Sequence, residues 1–393
     1  MNTSALRALA VFVTPLLLIT TVVQAQAPQA KLPGVAEKLQ PFITDNEITG
    51  AVTLVVSKDK VLHREAIGLA DREANKPMTE DAIFWIASMT KPTTGVAILI
   101  LQEEGKLSID DPVAKHLPEF ADLKTPSGKP ANLTIKHLLT HSSGLGEATA
   151  KEQQAAKNLS ELVPHFLDKK MQFEPGAKWS YCQSGINTLG RIIEVASGQS
   201  YDSFVHDCIF APLGMKDTTF YPTKEQQARI AKTYKRTGNK LEPAELAIFG
   251  GRKLEEHDRV PLANGGLFST ADDYGRFCQM LLNDGTLDGK TILKPASVKQ
   301  LSTVISGDLK TGFTPGNGWG CAVCVVREPQ GITAMLSPGT FGHGGAYGTQ
   351  AWIDPVKGVA YVLMVQRQNF PNSDASEVRK AFQQAAADAM KGH

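Results

Sequence analysis

The chain has 393 residues, of which 42% are hydrophobic and 21% are charged, and its formal net charge is +1 at pH 7. This length is enough to bury a large core. The near-neutral charge, without a basic stripe or a long charged run, gives no electrostatic reason to expect nucleic acid or a membrane surface as a partner. The composition is that of a globular protein without internal repeats.

The first 25 residues differ in character from the rest of the chain. Arg7 precedes the apolar stretch ALAVFVTPLLLITTVV, and the small residues of VQAQA follow it, a pattern typical of a secretory signal peptide. The alternative is an uncleaved membrane anchor, which the shortness of the apolar run and Pro15 disfavour. We therefore expect a signal peptide at 1–25, cleaved after Ala25 or Ala27, and a secreted or periplasmic protein without a membrane span.

The next segments predict a helix, a hairpin and a second helix. GVAEKLQPFITDNEI has helical spacing, and GAVTLVVSKDKVLHREAIG contains two β-rich runs around a polar turn. TTGVAILILQEEGKL predicts a strongly apolar helix that ends near Gly105.

IASMTKP, residues 86–92, places Ser88 and Lys91 three positions apart at the start of this apolar helix. Residues three apart share a helix face, so the lysine amine can reach the serine hydroxyl. A lysine with a lowered pKa can activate a serine, and free N–H groups at a helix start can stabilise an oxyanion. The alternative is a serine N-cap beside a solvated lysine, which the apolar residues on both sides disfavour.

From about 106 to 310 the chain consists mainly of helical segments and loops. His137 and His141 are four residues apart, a spacing that can bind metal, but the intervening residues lack the glutamate of a zinc protease. We interpret both, and His116, as structural, and the sequence predicts no metal and no cofactor.

Tyr181 and Gln183 lie in WSYCQSGINTLGRIIE, just before a helix that is expected to begin near Ile186. A tyrosine in such a loop can point into a groove, and a phenol flanked by cations can lose its proton and act as a base. The alternative is a core tyrosine with a satisfied hydroxyl.

The five cysteines are too few, and odd in number, for a disulfide scaffold. Cys321 and Cys324 lie in GWGCAVCVVREP, which predicts one strand. Positions three apart on a strand point to opposite faces and lie roughly 10 Å apart, too far for a disulfide. No further zinc ligands have suitable spacing. We expect all of them to be structural: Cys182, Cys208, Cys278, Cys321 and Cys324.

FGHGGAYGTQAWIDP, which begins at residue 341, contains four glycines before a predicted strand. Glycine permits close approach of a ligand, and strand N–H groups can form an oxyanion hole. His343 adds a donor or a modest positive charge. The alternative is a glycine-rich turn with a structural histidine. GVAYVLMVQ then predicts a strand, and SDASEVRKAFQQAAADAMKG predicts an amphipathic helix.

Strands at both ends and helices in the middle predict an α+β fold. We expect one antiparallel sheet built from both chain ends, flanked by the terminal helices, and a mainly helical lobe. The expected domain covers 30–393, with sheet regions at about 30–85 and 310–393 and the lobe at about 86–310. A groove between sheet and lobe is the expected site.

Three motifs, in this order and spacing, resemble those of the serine β-lactamase and penicillin-binding protein superfamily. The resemblance points to the branch of class C β-lactamases, DD-peptidases and family VIII esterases, and it extends from about residue 35 to 390. It implies a β-lactamase/transpeptidase-like fold. The motifs are Ser88-x-x-Lys91, Tyr181-x-Gln183 and His343-Gly344-Gly345.

The resemblance also implies an acyl-enzyme mechanism. Ser88 would attack a carbonyl, Lys91 and Tyr181 would share the proton transfers, and water would release the acyl group. The backbone N–H groups of Ser88 and Ala346 would hold the oxyanion. The other implied substrate-binding residues are Gln183, His343, Gly344 and Gly345.

Two departures from the family motifs concern the substrate. Gln183 replaces an asparagine and is one methylene longer, so its amide cannot sit in the same place. His343 and Gly344 replace a lysine and a threonine. The missing hydroxyl removes a hydrogen bond that is worth roughly 1–3 kcal/mol to a charged acceptor, and neutral imidazole binds carboxylate poorly.

We therefore expect a small-molecule ester, amide or β-lactam substrate, with a carboxylesterase of the family VIII kind as the leading hypothesis. The alternative is a β-lactamase or D-amino-acid peptidase. A second alternative is a non-catalytic, penicillin-recognising sensor.

Overall fold

The computed structural model describes residues 31–391 apart from 251, 255 and 257. The predicted signal peptide lies outside these residues and stays a prediction, as does the expected division of 30–393 into sheet regions and lobe. None of the helices within the described part of the chain has the length and apolar character needed to cross a bilayer.

One antiparallel sheet joins the two ends of the chain, which confirms the predicted α+β fold. The strands are β1 (Gly50–Ser57), β2 (Val61–Asp71), β3 (Lys76–Pro77), β4 (Asn317–Trp319), β5 (Cys324–Val326), β6 (Phe341–Gly344), β7 (Gln350–Asp354) and β8 (Val359–Met364). Their order in the sheet is β4-β5-β6-β7-β8-β1-β2-β3, and the pairing of β1 with β8 places Val52 opposite Met364.

Among the described residues, five longer helices cover the sheet or fill the lobe, and shorter helical segments connect them. The longer ones are α1 (Val35–Thr44), α2 (Lys91–Glu103), α3 (Gln183–Ser197), α4 (Ala271–Leu282) and α5 (Glu377–Lys391). The shorter α-helices are Val113–His116, Ile135–Leu139, Ala150–Ala155, Leu159–Leu162, Pro164–Leu167, Tyr201–Val205, Lys224–Gln227 and Pro295–Ser302. The 3-10 and π turns are Ala87–Thr90, Pro118–Phe120, His206–Phe210, Ala247–Phe249, Gly331–Thr333 and Ser373–Ala375.

Some strands of the described chain lie outside the main sheet. Phe84–Trp85 pairs with Phe268–Ser269, and Thr286–Leu287 pairs with Lys290–Thr291. A third small sheet consists of Tyr234–Thr237, Lys240–Pro243 and Arg367–Gln368.

Both faces of the main sheet are buried at β1, which accounts for the nearly continuous apolar run of this strand. Leu54 belongs to the core shared with the lobe, and Val55 belongs to the core beneath the terminal helices, because successive side chains of a strand point to opposite faces. Val35 and Phe382 bring α1 and α5 into that second core. The terminal helices therefore cover one face, as predicted.

The segment around Cys321 and Cys324 forms a hairpin, so the prediction of one strand is wrong. The turn between β4 and β5 passes through Ala322, whose φ is 58°. It packs on α2 so closely that a Cβ on Gly95 would lie 2.2 Å from the Cys321 carbonyl oxygen. Tertiary contact therefore bends a stretch of strand-forming residues. All five cysteines are free.

Helix α3 begins at Gln183, three residues before the predicted start near Ile186. The reason is the N-cap, Cys182, whose residue type does not predict a helix start. The Cys182 Sγ accepts a hydrogen bond from the backbone N–H of Gly185 at 3.3 Å. Tyr181 thus stays in a loop, as predicted, directly before the helix.

Candidate active site

Ser88 and Lys91 meet where the 3-10 turn Ala87–Thr90 runs into α2. The Lys91 Nζ lies 3.0 Å from the Ser88 Oγ and donates to the Asn264 carbonyl oxygen at 2.7 Å. Lys91 is fully buried, and this desolvation lowers the pKa of its amine from 10.5 to about 7. The alternative of a solvated lysine is wrong, and at neutral pH a large fraction of the amine is unprotonated.

The turn that presents Ser88 is held in an unfavourable backbone conformation. Ala87 has a φ of 45°, a region that costs a non-glycine residue on the order of 1–3 kcal/mol. Two contacts offset this cost: the Thr90 hydroxyl donates to the Ala87 carbonyl at 2.7 Å, and the Ile86 N–H donates to the Leu267 carbonyl at 3.0 Å. The nucleophile candidate therefore sits on a rigid turn.

Tyr181 lies beside Ser88 and Lys91. The Ser88 side chain interacts with its hydroxyl and acts to lower its pKa, and the Lys91 Nζ lies 4.7 Å from the centroid of its ring. Burial raises the pKa of Tyr181 well above its ordinary value near 10. The resting phenol is therefore protonated, contrary to the expectation of a phenolate base, because desolvation outweighs the nearby amine.

His343 accepts a hydrogen bond from the Tyr181 hydroxyl. Its Nδ1 lies 2.6 Å from the Gly344 carbonyl oxygen, and a carbonyl only accepts, so Nδ1 carries the hydrogen. Burial and the nearby Lys91 lower the pKa of His343 to about 3, and the imidazole is neutral. Its Nε2 therefore accepts from the Tyr181 hydroxyl, 3.3 Å away. His343 supplies no positive charge.

A cavity of about 430 Å3 opens beside these groups. Gly345, by contrast, is buried, and a Cβ there would lie 2.5 Å from the Ile86 carbonyl oxygen. Glycine at this position thus lets the end of β6 pack against the turn that carries Ser88. The predicted residues that line the cavity are Ser88, Tyr181, Gln183, His343, Gly344 and Ala346.

Gln183 is tied into a network that includes Asn264, a residue the sequence reasoning missed. The Gln183 Oε1 accepts from the Asn264 Nδ2 at 2.7 Å, and the Asn264 carbonyl holds Lys91. Glu147, also missed, accepts from the Gln183 N–H at 2.6 Å. The available signal was the NGG turn that begins at Asn264. Nothing near Glu147 in the sequence pointed to this contact.

The sequence reasoning also missed Asp374, which lines the cavity. The other lining residues that it did not name are Phe313, Phe370, Pro371, Asn372 and Ser373. Asp374 lies in the 3-10 turn Ser373–Ala375 before α5. A Cβ on Gly344 would lie 2.1 Å from the Asp374 Oδ1. No local pattern in SDASEV marks it, because only the pairing of distant segments brings this carboxylate to β6.

The three histidines interpreted as structural all make hydrogen bonds within the protein. His137 accepts from the Thr134 N–H at 3.2 Å, His141 accepts from the Cys182 N–H at 3.1 Å, and His116 pairs with Asp111 at 2.9 Å. Within the part of the chain that the structure describes, no cluster of three His, Cys, Asp or Glu side chains is arranged to hold a metal ion.

Comparison with known proteins places this chain in a family. The family model described as Beta-lactamase matches residues 35–386. The esterase EstB of Burkholderia gladioli is 30% identical over 352 residues, which cover 82% of this chain and 87% of EstB. Penicillin-binding protein 4 of Amycolatopsis lactamdurans is 31% identical over 317 residues, which cover 80% of this chain and 79% of that protein.

The solved structure of EstCE1, described as a hydrolase with promiscuous acyltransferase activity, shares the fold. Its TM-score is 0.75 at 24% identity, and the match covers 89% of this chain and 98% of EstCE1. The predicted resemblance is thus confirmed. The chain belongs to the Beta-lactamase family and is a serine hydrolase with that family's fold.

Proposed function

We propose that the protein is a carboxylesterase that forms an acyl-enzyme on Ser88. The main support for the proposal is the 3.0 Å contact between the Ser88 Oγ and the Lys91 Nζ. Because the pKa of the Lys91 amine is about 7, part of the amine is unprotonated at neutral pH. A hydroxyl is a weak nucleophile until such a base takes its proton. The esterase EstB among the relatives supports the substrate class.

In the proposed acylation, the Ser88 Oγ attacks the ester carbonyl and Lys91 takes the hydroxyl proton. The backbone N–H groups of Ser88 and Ala346 stabilise the oxyanion. Tyr181, which is protonated at rest, donates its proton to the departing alkoxide and regains one from the Lys91 ammonium. Water then attacks the acyl carbon, its proton passes to Ser88 through the same pair, and the acid is released.

Esters fit this site better than β-lactams or D-amino-acid peptides, because those compounds carry a carboxylate. The neutral imidazole of His343 stands where the family motif places a lysine, and the Gln183 amide is engaged by Asn264. The β-lactamase or peptidase alternative rests on the penicillin-binding relative. A non-catalytic sensor would instead show a persistent adduct without turnover.

Labelling with a fluorophosphonate, followed by peptide mapping and a substrate panel, tests the proposal. We expect one adduct, on Ser88, and turnover of p-nitrophenyl esters well above that of nitrocefin or a D-Ala-D-Ala peptide. Ser88→Ala should lose both labelling and turnover, while Ser160→Ala, which removes an exposed hydroxyl, should keep them. Ester turnover by Ser88→Ala would overturn the proposal.

We also infer that the protein is exported, on the basis of the pattern in residues 1–25. Cell fractionation and N-terminal sequencing of the protein test this inference. We expect the mature chain outside the cytoplasm, beginning at Gln26 or Pro28. A cytoplasmic chain that still begins at Met1 would contradict it.

A further inference from the structure

The carboxylate of Asp374 occupies the space beside the third motif. Asp374 is 9% exposed, and this remaining surface lines the cavity that contains Ser88 and Tyr181. A Cβ on Gly344 would lie 2.1 Å from the Asp374 Oδ1 and 2.5 Å from the Gln350 Nε2. The volume that a larger residue 344 would fill is therefore taken by a carboxylate and the amide that accompanies it.

Burial raises the pKa of the Asp374 carboxyl above its ordinary value, whereas Arg379, the Gln350 side chain, the nearby Lys91 and the Gly344 N–H act in the opposite direction. The Arg379 Nη1 donates to the Asp374 backbone carbonyl at 2.6 Å, and its guanidinium stacks on Trp352 at 3.9 Å. Arg379 thus contacts the Asp374 backbone and acts on the carboxyl only through its nearby charge.

A ligand in the cavity meets the side chain of Asp374 rather than that of Arg379. Arg379 is fully buried and lies behind the cavity wall, while Asp374 belongs to that wall. No lysine or arginine is among the described residues that line the cavity, where His343 is neutral and Phe313 and Phe370 present aromatic rings. The Lys91 amine contacts Ser88 but is fully buried. A carboxylate among aromatic rings repels anions and suits neutral or cationic groups.

We propose that Asp374 is a specificity-determining residue that admits esters with a neutral or cationic acyl chain and rejects esters whose acyl chain ends in a carboxylate. The inference rests on the proposed esterase function and adds the charge class of the substrate. It concerns a side chain from the C-terminal segment rather than from the three motifs.

Three p-nitrophenyl esters of matched chain length test the proposal. They are the monoester of glutaric acid, its methyl ester, and the ester of 4-(trimethylammonio)butyric acid. For the wild-type protein we expect kcat/KM for the methyl ester to exceed that for the glutarate by about tenfold or more, with the cationic ester at least equal to the methyl ester. Asp374→Asn should raise the rate for the glutarate relative to the other two.

The control variant is Glu377→Gln, which removes the same charge from an exposed side chain at the start of α5 and should leave the ratios unchanged. Equal wild-type rates for the glutarate and its methyl ester would overturn the proposal, and this comparison needs no variant to fold. Unchanged ratios in a folded Asp374→Asn protein would also overturn it.

Failure of the esterase function itself has a different signature, namely no turnover of any of the three esters. In that case the rates at which neutral and carboxylate-bearing fluorophosphonates label Ser88 make the same comparison without turnover. Selection against the anionic label, relieved by Asp374→Asn, supports the role of Asp374, and equal labelling rates refute it.

Discussion

The Nδ1 of His141 accepts a hydrogen bond from the backbone N–H of Cys182 at 3.1 Å. The backbone carbonyl of His141 accepts from the Ser180 N–H at 2.9 Å. These two bonds hold the residues on both sides of Tyr181, and the imidazole packs on its ring with a centroid distance of 4.4 Å. His141 is thus a positioning residue for the phenol.

Replacement of His141 by Phe should therefore impair catalysis more than binding. The variant keeps an aromatic ring but loses the acceptor, so the Tyr181 loop shifts. Because small displacements of catalytic groups are costly, we expect kcat to fall about 10- to 100-fold, with a smaller change in KM.

Steady-state kinetics and thermal unfolding check this prediction. The matched control is His137→Phe, which removes an acceptor for the Thr134 N–H in the short helix just before His141. It should lower stability without the fall in kcat. An equal loss of kcat in both variants would show that His141 acts only through general stability.

The pH dependence of kcat/KM should follow the protonation state of the Lys91 amine. Its amine must be neutral to accept the Ser88 proton, and burial lowers its pKa to about 7. We therefore expect kcat/KM to rise with pH, with a midpoint near pH 7. The high pKa of Tyr181 means that its proton is retained throughout the neutral range. A profile that is flat between pH 5 and pH 8 would argue against Lys91 as the base.

Lys91 should also lower the stability of the fold. The unfolded chain binds this proton up to about pH 10.5 and the folded chain only up to about pH 7, so the contribution of Lys91 to stability rises with pH between these values. The interval corresponds to at most about 5 kcal/mol at neutral pH and below.

Lys91→Met should consequently increase the free energy of unfolding at pH 7, although it abolishes activity. Its advantage over the wild type should shrink as the pH approaches 10. Urea denaturation at both pH values checks this, with Lys58→Met at an exposed position as the control. A less stable Lys91→Met protein at pH 7 would show that the bonds to Ser88 and Asn264 outweigh the cost of burial.

Gly344→Ala should destabilise the protein although the residue lies in a strand, where alanine is normally tolerated. The added Cβ would approach the Asp374 Oδ1 to 2.1 Å, and overpacking of this kind costs about 1–3 kcal/mol. In an Asp374→Ala background the loss of stability should be smaller, because only the close contacts with the Gln350 side chain remain. A double-mutant cycle measures the difference, and strict additivity would refute the proposed contact.

Elements with a local cause were predictable. The hairpin of β1 and β2 follows from two β-rich runs around a polar turn, and α2 follows from an apolar run that ends near Gly105. The spacing of Ser88 and Lys91 follows from the helix period. The turn at Ala322 was not predictable, because the contact that bends it is made by Gly95, more than 200 residues away in the chain.

The sequence alone therefore determines which chemical groups the site contains and their order along the chain, because motif spacing and local periodicity do not depend on packing. These groups are a hydroxyl, an amine and a phenol. The tertiary structure determines the protonation states of Lys91, Tyr181 and His343. It also determines that Asp374 lies beside Gly344. Desolvation and long-range contact exist only after distant segments have packed together, and these effects turn the motifs into a site.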